Sequence, residues 1–290
     1  MTGNALQIVT WNVTHGSASY AKTPNGRSIL FDAGSSEEFS PAKWLNEQYG
    51  LTETDLFILS HTHADHISDV ENVGNLIKPK VLIGNKSVPK DLAYPEFPLT
   101  KNPHKYYYEV FDNPYNQTVT SDSPDSSSQA SNWGGVKIKT FSNSLSEKFT
   151  KLNDYSVVTF LLFGNLEYLL PGDLEEPGWK KLMEEDSNFL ALSTPSKSNT
   201  NEVRILVAAH HRREAGVYKP FLDLYRPHLT IVSDKYGSSY TAYPAYYQAS
   251  QGYAVYDWEK KTTTTRRVLT TKVNYMVLVS ASESDVRVTV

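Results

Sequence analysis

This chain predicts an α/β layered domain, and three observations carry the prediction. Strand-length apolar runs alternate with helical patterns as far as residue 84. The same rhythm restarts near residue 136 and runs to about residue 233. Three of the eight histidines stand together, with an aspartate among them, where one apolar run gives way to a helical pattern. Alternation of this kind stacks helices on sheets.

Taken in order, residues 7–13 are β-rich and end at Thr14-His15-Gly16. Residues 27–31 form a second strand, closing on Asp32-Ala33-Gly34, where glycine permits a tight turn. Residues 41–49 read as a helix with Ser40 as N-cap, Pro41 at the first position and Gly50 as the stop. The apolar run 55–59 delivers Ser60-His61-Thr62-His63-Ala64-Asp65-His66. A helical pattern then reaches Leu76 and Ile77, and residues 80–84 are the next strand. In an extended segment side chains alternate, so His61 and His63 point the same way. The turn after them swings Asp65 and His66 toward the same space. Imidazole and carboxylate together suit zinc and similar divalent ions.

From residue 85 to 133 the pattern dissolves. Pro89, Pro95, Pro98, Pro103 and Pro114 prevent long regular elements, and residues 121–131 are nearly all Ser, Asp, Pro and Gln. This is too long for an ordinary connection, so it reads as an insertion or lid with a mobile Ser-rich part. It holds Lys90, Lys101, His104 and Lys105 beside Tyr106-Tyr107-Tyr108. Such a stretch either grips a phosphate backbone and stacks bases or is a solvated loop anchored by tyrosines.

In the second half, residues 136–141 alternate as a strand with one wet face does. Residues 157–163 and 167–170 form a hairpin around Gly164-Asn165, which delivers Pro171-Gly172-Asp173-Leu174-Glu175. Residues 176–185 are helical, and residues 203–209 are a strand ending in His210-His211-Arg212-Arg213. A helix at 217–225 and a strand at 229–233 follow. Strands at 253–256, 264–269 and 276–279 close the chain. The whole, 1–290, is read as one domain.

Composition narrows the classes. Hydrophobic residues make up 39%, enough for a core. With no cysteine, disulfides and thiolate zinc sites are excluded, leaving histidine and carboxylate ligands. The first residues carry neither a basic region nor a long apolar core, and the apolar runs are strand-sized, so a cytoplasmic protein with no membrane association is expected. A net charge of −4 argues against bulk attraction to nucleic acid.

At His61-Thr62-His63-Ala64-Asp65-His66 the chain resembles the metallo-β-lactamase superfamily, whose signature is His-x-His-x-Asp-His. The resemblance implies a four-layer αββα sandwich of two mixed sheets and two divalent metal ions, zinc first and manganese as the alternative. It implies that His61 and His63 serve one ion, that Asp65 and His66 serve the other with Asp65 also taking part in the chemistry, and that Asp173 bridges the two. Asp32, in the Asp-x-Gly turn, would brace the metal loop. Residues 12–16 and the strand ending in His-His look like the branch of the ComEC-type competence protein domain and its free-standing relatives. There the paired histidines offer the last ligand. Adjacent residues point in different directions, so one of the two is expected to reach the metal; His210 is favoured, leaving His211 to hydrogen-bond substrate. His15 is either at the mouth of the site or a loop histidine. The histidine that many members supply between the first motif and the bridging aspartate is missing, and Asn153, Asp154 or water would fill the gap. Tyr243 stands where the branch carries another histidine.

The activity implied is hydrolysis by a metal-activated water, most of all at phosphodiesters, as in a nuclease. Arg212, beside the ligand, is expected to hold the phosphate by its bidentate geometry. A lactone, thioester or β-lactam substrate is the alternative within hydrolases, and a non-catalytic binding protein with a degraded site is the alternative outside them.

Overall fold

The computed structural model describes residues 5–88, 92, 101–116, 118–146, 149–234 and 243–290. Lys90, Pro89, Pro95 and Pro98 lie outside them. Two sheets face each other. The first runs β12-β11-β15-β14-β1-β2-β3-β4-β5 and the second β13-β10-β9-β8-β7-β6. In the first, β1 (Leu6–Trp11), β2 (Ser19–Lys22), β3 (Ser28–Phe31), β4 (Glu53–Ile58) and β5 (Lys78–Ile83) come from the first half of the chain. Its other strands, β11 (Tyr253–Asp257), β12 (Thr262–Arg266), β14 (Met276–Ala281) and β15 (Val286–Thr289), come from the end. The second sheet holds β6 (Lys137–Phe141), β7 (Val158–Phe163), β8 (Leu166–Leu170), β9 (Val203–Val207), β10 (Leu229–Val232) and β13 (Val268–Thr270). The single strand expected at 264–269 is therefore two, split between the sheets at Arg267.

Period-2 alternation builds the layers. Ile29 and Phe31 of β3 and Leu56 and Ile58 of β4 point between the sheets, where they meet Leu161, Tyr168, Ile205 and Ile231. The intervening residues, Leu30 and Phe57, face outward onto Ala42 and Leu45 of α1 (Pro41–Tyr49) and Val70 and Val73 of α3 (Val70–Leu76), with the short α2 (Ala64–Ile67) between these helices. On the far side Phe160, Leu169 and Leu206 pack on α4 (Glu176–Glu185), α5 (Ser187–Ser193) and α6 (Lys219–Tyr225) through Trp179, Phe189 and Phe221. These are the four layers: helix, sheet, sheet, helix.

β3 and β4 are parallel, as are β8, β9 and β10. Parallel strands place all their carboxyl ends on one edge, and that edge is where the functional loops gather.

The described part of residues 85–133 is more ordered than Pro103 and Pro114 suggest. His104–Tyr106 and Tyr107–Phe111 make consecutive helical turns, the second of π type, and Tyr107 and Phe111 are buried against the first sheet's helical layer. The Ser-rich part is tied to the body as well. Trp133 is buried, its indole N–H donates to the Ser126 carbonyl at 2.8 Å, and Arg27 lies over its ring while pairing with Asp125. Buried apolar anchors, rather than regular hydrogen bonding, hold this segment.

Candidate metal centre

The loop after β4 carries the first group of ligand types. Its backbone is fixed by Asp32, at the end of β3, whose Oδ1 accepts the Ser60 N–H at 2.7 Å. Asp32 Oδ2 accepts the Ser60 hydroxyl at 2.9 Å and the His66 Nδ1–H at 2.8 Å. From the insertion, His104 Nε2 donates to the Thr62 carbonyl at 2.8 Å, and the Tyr108 hydroxyl pairs with Thr62 Oγ1 at 2.8 Å. His104 and Tyr108 thus buttress this loop, a contact that local sequence does not signal.

Asp173 arrives from the second sheet after β8. Gly172 before it has φ +60°, and a Cβ there would lie 2.5 Å from Ser60 Cβ, so only glycine lets the two loops close on each other. The carboxylate is buried and its two oxygens face different partners. Oδ1 lies 3.1 Å from His66 Nε2 and 3.4 Å from His211 Nε2. Oδ2 lies 3.9 Å from His61 Nε2 and 3.8 Å from His210 Nε2. His61 Nε2 and His63 Nδ1 are 3.0 Å apart, and Asp65 Oδ2 is 3.2 Å from His211 Nε2. Two compact groups result, Asp65, His66, Asp173 and His211 in one, His61, His63 and Asp173 in the other.

Here the favoured reading of the histidine pair is corrected. His211, not His210, joins Asp65 and His66, and both rings of the pair stand beside Asp173. The backbone is the reason: His210, His211 and Arg212 all have left-handed φ, at 47°, 50° and 61°. Left-handed residues other than glycine cost roughly 1–2 kcal/mol each and collect at functional sites. Thr14 and Asp32, also left-handed, flank the same site.

Arg212 is likewise corrected. It is buried and its Nε donates to buried Asp234 at 3.1 Å, so it faces the protein and not a substrate. Arg213 faces the site instead, its Nη2 3.5 Å from His15 Nε2, which is 3.4 Å from Asp65 Oδ2. His15 is thus at the mouth, 4.8 Å from the His211 ring. Asn153 is buried and donates to Glu175 Oε1 at 2.9 Å, whereas Asp154 accepts the Gly178 N–H at 3.0 Å and underpins α4. Tyr243 is exposed and stacks on Tyr247 rather than lining the centre; neighbouring Ala242 lies outside the described residues. Glu175, Ser233 and Arg213 carried no signal beyond their nearness in sequence to Asp173, β10 and the histidine pair.

The donor set fits a cation. His66 gives its Nδ1–H to Asp32, and His211 Nδ1 pairs with the Ser233 carbonyl at 3.0 Å. Their Nε2 lone pairs therefore converge at 3.3 Å, against two carboxylates. Acceptors so placed repel unless a positive charge lies among them. The same carboxylates draw protons onto the two rings, the positive charge that a bound cation would replace. Burial would lower both rings, yet Asp173 and the other carboxylates hold His66 well above its ordinary value and His211 at about 10. Burial would raise Asp173 and Asp65, but the facing histidines hold both far below the usual carboxylate range. Burial, with His66 and His63, depresses His61. Beside His61 a cavity of about 430 Å³ opens, walled by Tyr107, Tyr108, Tyr115 and Tyr155. Among the described residues no helix is long and apolar enough to cross a membrane.

Similar solved structures include a diphosphatase of the PhnP family, at 12% identity over 78% of this chain and 86% of that one, with a TM-score of 0.43. A metal-dependent hydrolase from Parabacteroides distasonis gives 12%, 80%, 84% and 0.43, and the long-form RNase Z of yeast 13%, 82%, 39% and 0.35. No curated protein matches the chain. The family description that matches, "metallo-beta-lactamase superfamily", spans residues 11–178, from the end of β1 through the histidine motif and Asp173 into α4. This chain belongs to the metallo-β-lactamase superfamily.

Proposed function

We propose that this metal-dependent hydrolase acts on phosphodiester bonds. The observation that carries the substrate class is Arg213, set beside His15 at the rim of the acidic cluster. A guanidinium matches the paired anionic oxygens of a phosphodiester, whereas a lactone or thioester carbonyl brings no formal charge to answer it. A phosphodiester also has two flanking groups to place, and the tyrosine-walled cavity beside His61 has room for one.

In this reading His61, His63 and Asp173 hold one divalent cation, and Asp65, His66, His211 and Asp173 hold the other. Such cations, when bound, polarise a phosphoryl oxygen and make water acidic enough to attack near neutral pH. The chain's own contributions are positional. Asp32 and the Ser233 carbonyl keep His66 and His211 in the tautomer that leaves Nε2 free to bind. His15, lowered by burial and then by His211, is neutral at pH 7 and offers a hydrogen bond rather than a charge. Arg213 supplies the charge, and the insertion keeps the metal loop from opening.

The test is elemental analysis of the purified protein together with turnover of bis(p-nitrophenyl) phosphate, single-stranded DNA and a panel of lactone, thioester and β-lactam substrates, with zinc, manganese or magnesium supplied. Metal-dependent turnover of the phosphodiesters is expected, with Asp173→Asn lowering kcat by roughly 10³-fold or more while the fold persists. Turnover confined to acyl substrates would reject the substrate class, and protein unable to retain any divalent ion would reject the centre.

A further inference from the structure

One aromatic residue at the rim of the centre holds a backbone conformation that its side chain disfavours. Tyr275 has φ 55° and ψ −45°, and it is 78% exposed. Glycine would take that shape with no Cβ to crowd. An L side chain there is strained, and strained residues of this kind cluster where ligands are handled. Burial returns little for so exposed a ring, so packing does not explain why a tyrosine stands here.

Two strand ends set its place. β13 runs parallel to β10, so both strands release the chain on the functional edge. From β10 comes Ser233, whose carbonyl pairs with His211. From β13 comes the helical turn Thr271–Asn274, then Tyr275. The Tyr275 carbonyl accepts the Asn12 N–H at 2.6 Å, and the Ser233 hydroxyl donates to the Gly16 carbonyl at 2.7 Å. These two bonds hold both ends of the loop that carries His15. Tyr275 therefore stands at the rim where His15 meets Asp65 and Arg213, whereas the tyrosine-walled cavity opens beside His61. Val273 and Met276 are exposed next to it, and Lys272 lies on the same turn.

We infer that Tyr275 is a stacking platform for a nucleobase of a single-stranded nucleic acid, on the far side of the scissile phosphate from the cavity. This rests on the phosphodiester reading above. A phosphodiester has two flanking groups; the cavity takes one, and the rim must take the other. An open aromatic face beside cationic side chains, here Lys272 and Arg213, holds a base and its backbone together. The net charge of −4 gives no bulk attraction to a polyanion, so contacts as local as these must select it. Tyr275 binds substrate at a distance from the reacting atoms, and its removal acts on KM rather than on kcat.

The experiment compares kcat and KM for a short oligothymidylate and for an abasic strand of the same length. Wild type, Tyr275→Ala, Tyr275→Phe and Tyr275→Gly are each tested with metal supplied, and their urea midpoints are measured. Wild type should favour the oligothymidylate through KM. Tyr275→Ala should raise that KM about tenfold or more and bring the ratio between the two strands toward one, while Tyr275→Phe keeps the wild-type ratio. Tyr275→Gly should lose the preference as Ala does, yet hold or raise the urea midpoint, because it relieves the positive φ. A wild-type ratio in Tyr275→Ala would overturn the inference and leave the phosphodiester reading intact. An equal rise in KM for both strands, or a fall in the midpoint of Tyr275→Gly, would make Tyr275 a structural residue and overturn it too. Wild type that cleaves neither strand would overturn the reading beneath it, a failure seen before any variant is compared.

Discussion

The loop after β4 and the loop after β9 each end a buried parallel strand and each bring histidines to Asp173, yet they do so with different backbones. The first keeps ordinary conformations; His63, at φ −64° and ψ 149°, leads straight into α2. Spacing of two along an extended segment already puts His61 and His63 on one side, so a regular backbone suffices. The second must bring adjacent residues to one carboxylate and uses three left-handed residues in a row. It is tied down by the His210 N–H on the Gly172 carbonyl at 3.2 Å, by the Arg213 N–H on the His210 carbonyl at 2.8 Å and by the Arg212–Asp234 pair. A regular ligand loop needs bracing of its side chains; a strained one needs bracing of its backbone as well.

The sharpest way to break this contrast is to remove the backbone brace. Arg212→Ala leaves Asp234 buried without its guanidinium, which costs about 3–5 kcal/mol and should show as a large drop in the urea midpoint. Arg213→Ala, one residue on, should stay within about 0.5 kcal/mol of wild type in stability while raising KM for phosphodiesters about tenfold, near 1.4 kcal/mol. Equal destabilisation by the two changes would mean that Arg212 is no brace.

A smaller loss is expected where the two loops touch. Gly172→Ala must adopt a positive φ and push Ser60 Cβ from 2.5 Å, at a cost of about 1–3 kcal/mol. Because Ser60 hydrogen-bonds to His61, His66 and Asp32, the same change should weaken metal binding in the first loop. Differential scanning calorimetry and chelator competition would report both effects, and an unchanged melting temperature would argue that the loops are not in contact.

The smallest effect concerns support beneath the second half. Burial raises Asp154 from its ordinary 3.8 to about 6, against the hydrogen bond from Gly178. The folded chain therefore binds more protons than the unfolded chain between those values, so this group's contribution is best at low pH and declines as pH rises through that window. Asp154→Asn keeps an oxygen for Gly178 and removes the charge. It should be no more stable than wild type near pH 4 and modestly more stable at pH 7, as read from urea midpoints at the two values. A gain at pH 4 that vanishes at pH 7 would reverse the sign and reject the assignment.

Much of this protein was legible in local pattern. Near-continuous apolar runs at 29–31, 56–59 and 157–163 reveal strands buried on both faces, and hence layers, because side-chain direction along a strand follows position alone. The motif from His61 to His66 and the Gly-Asp at 172–173 are legible for the same reason: their geometry is set within a few residues. What tertiary structure decided lies where geometry depends on distant chain. Nothing local tells Arg212 from Arg213; a buried Asp234 on the next strand end does. Nothing local makes both His210 and His211 reach Asp173; a left-handed turn pinned to Gly172 and Asp234 does. The prolines of the insertion exclude long helices but say nothing of His104 and Tyr108 clasping Thr62. Handedness at a strained turn, and the burial that selects one neighbour over another, are set by packing between segments far apart in sequence, and only the folded chain brings those segments together.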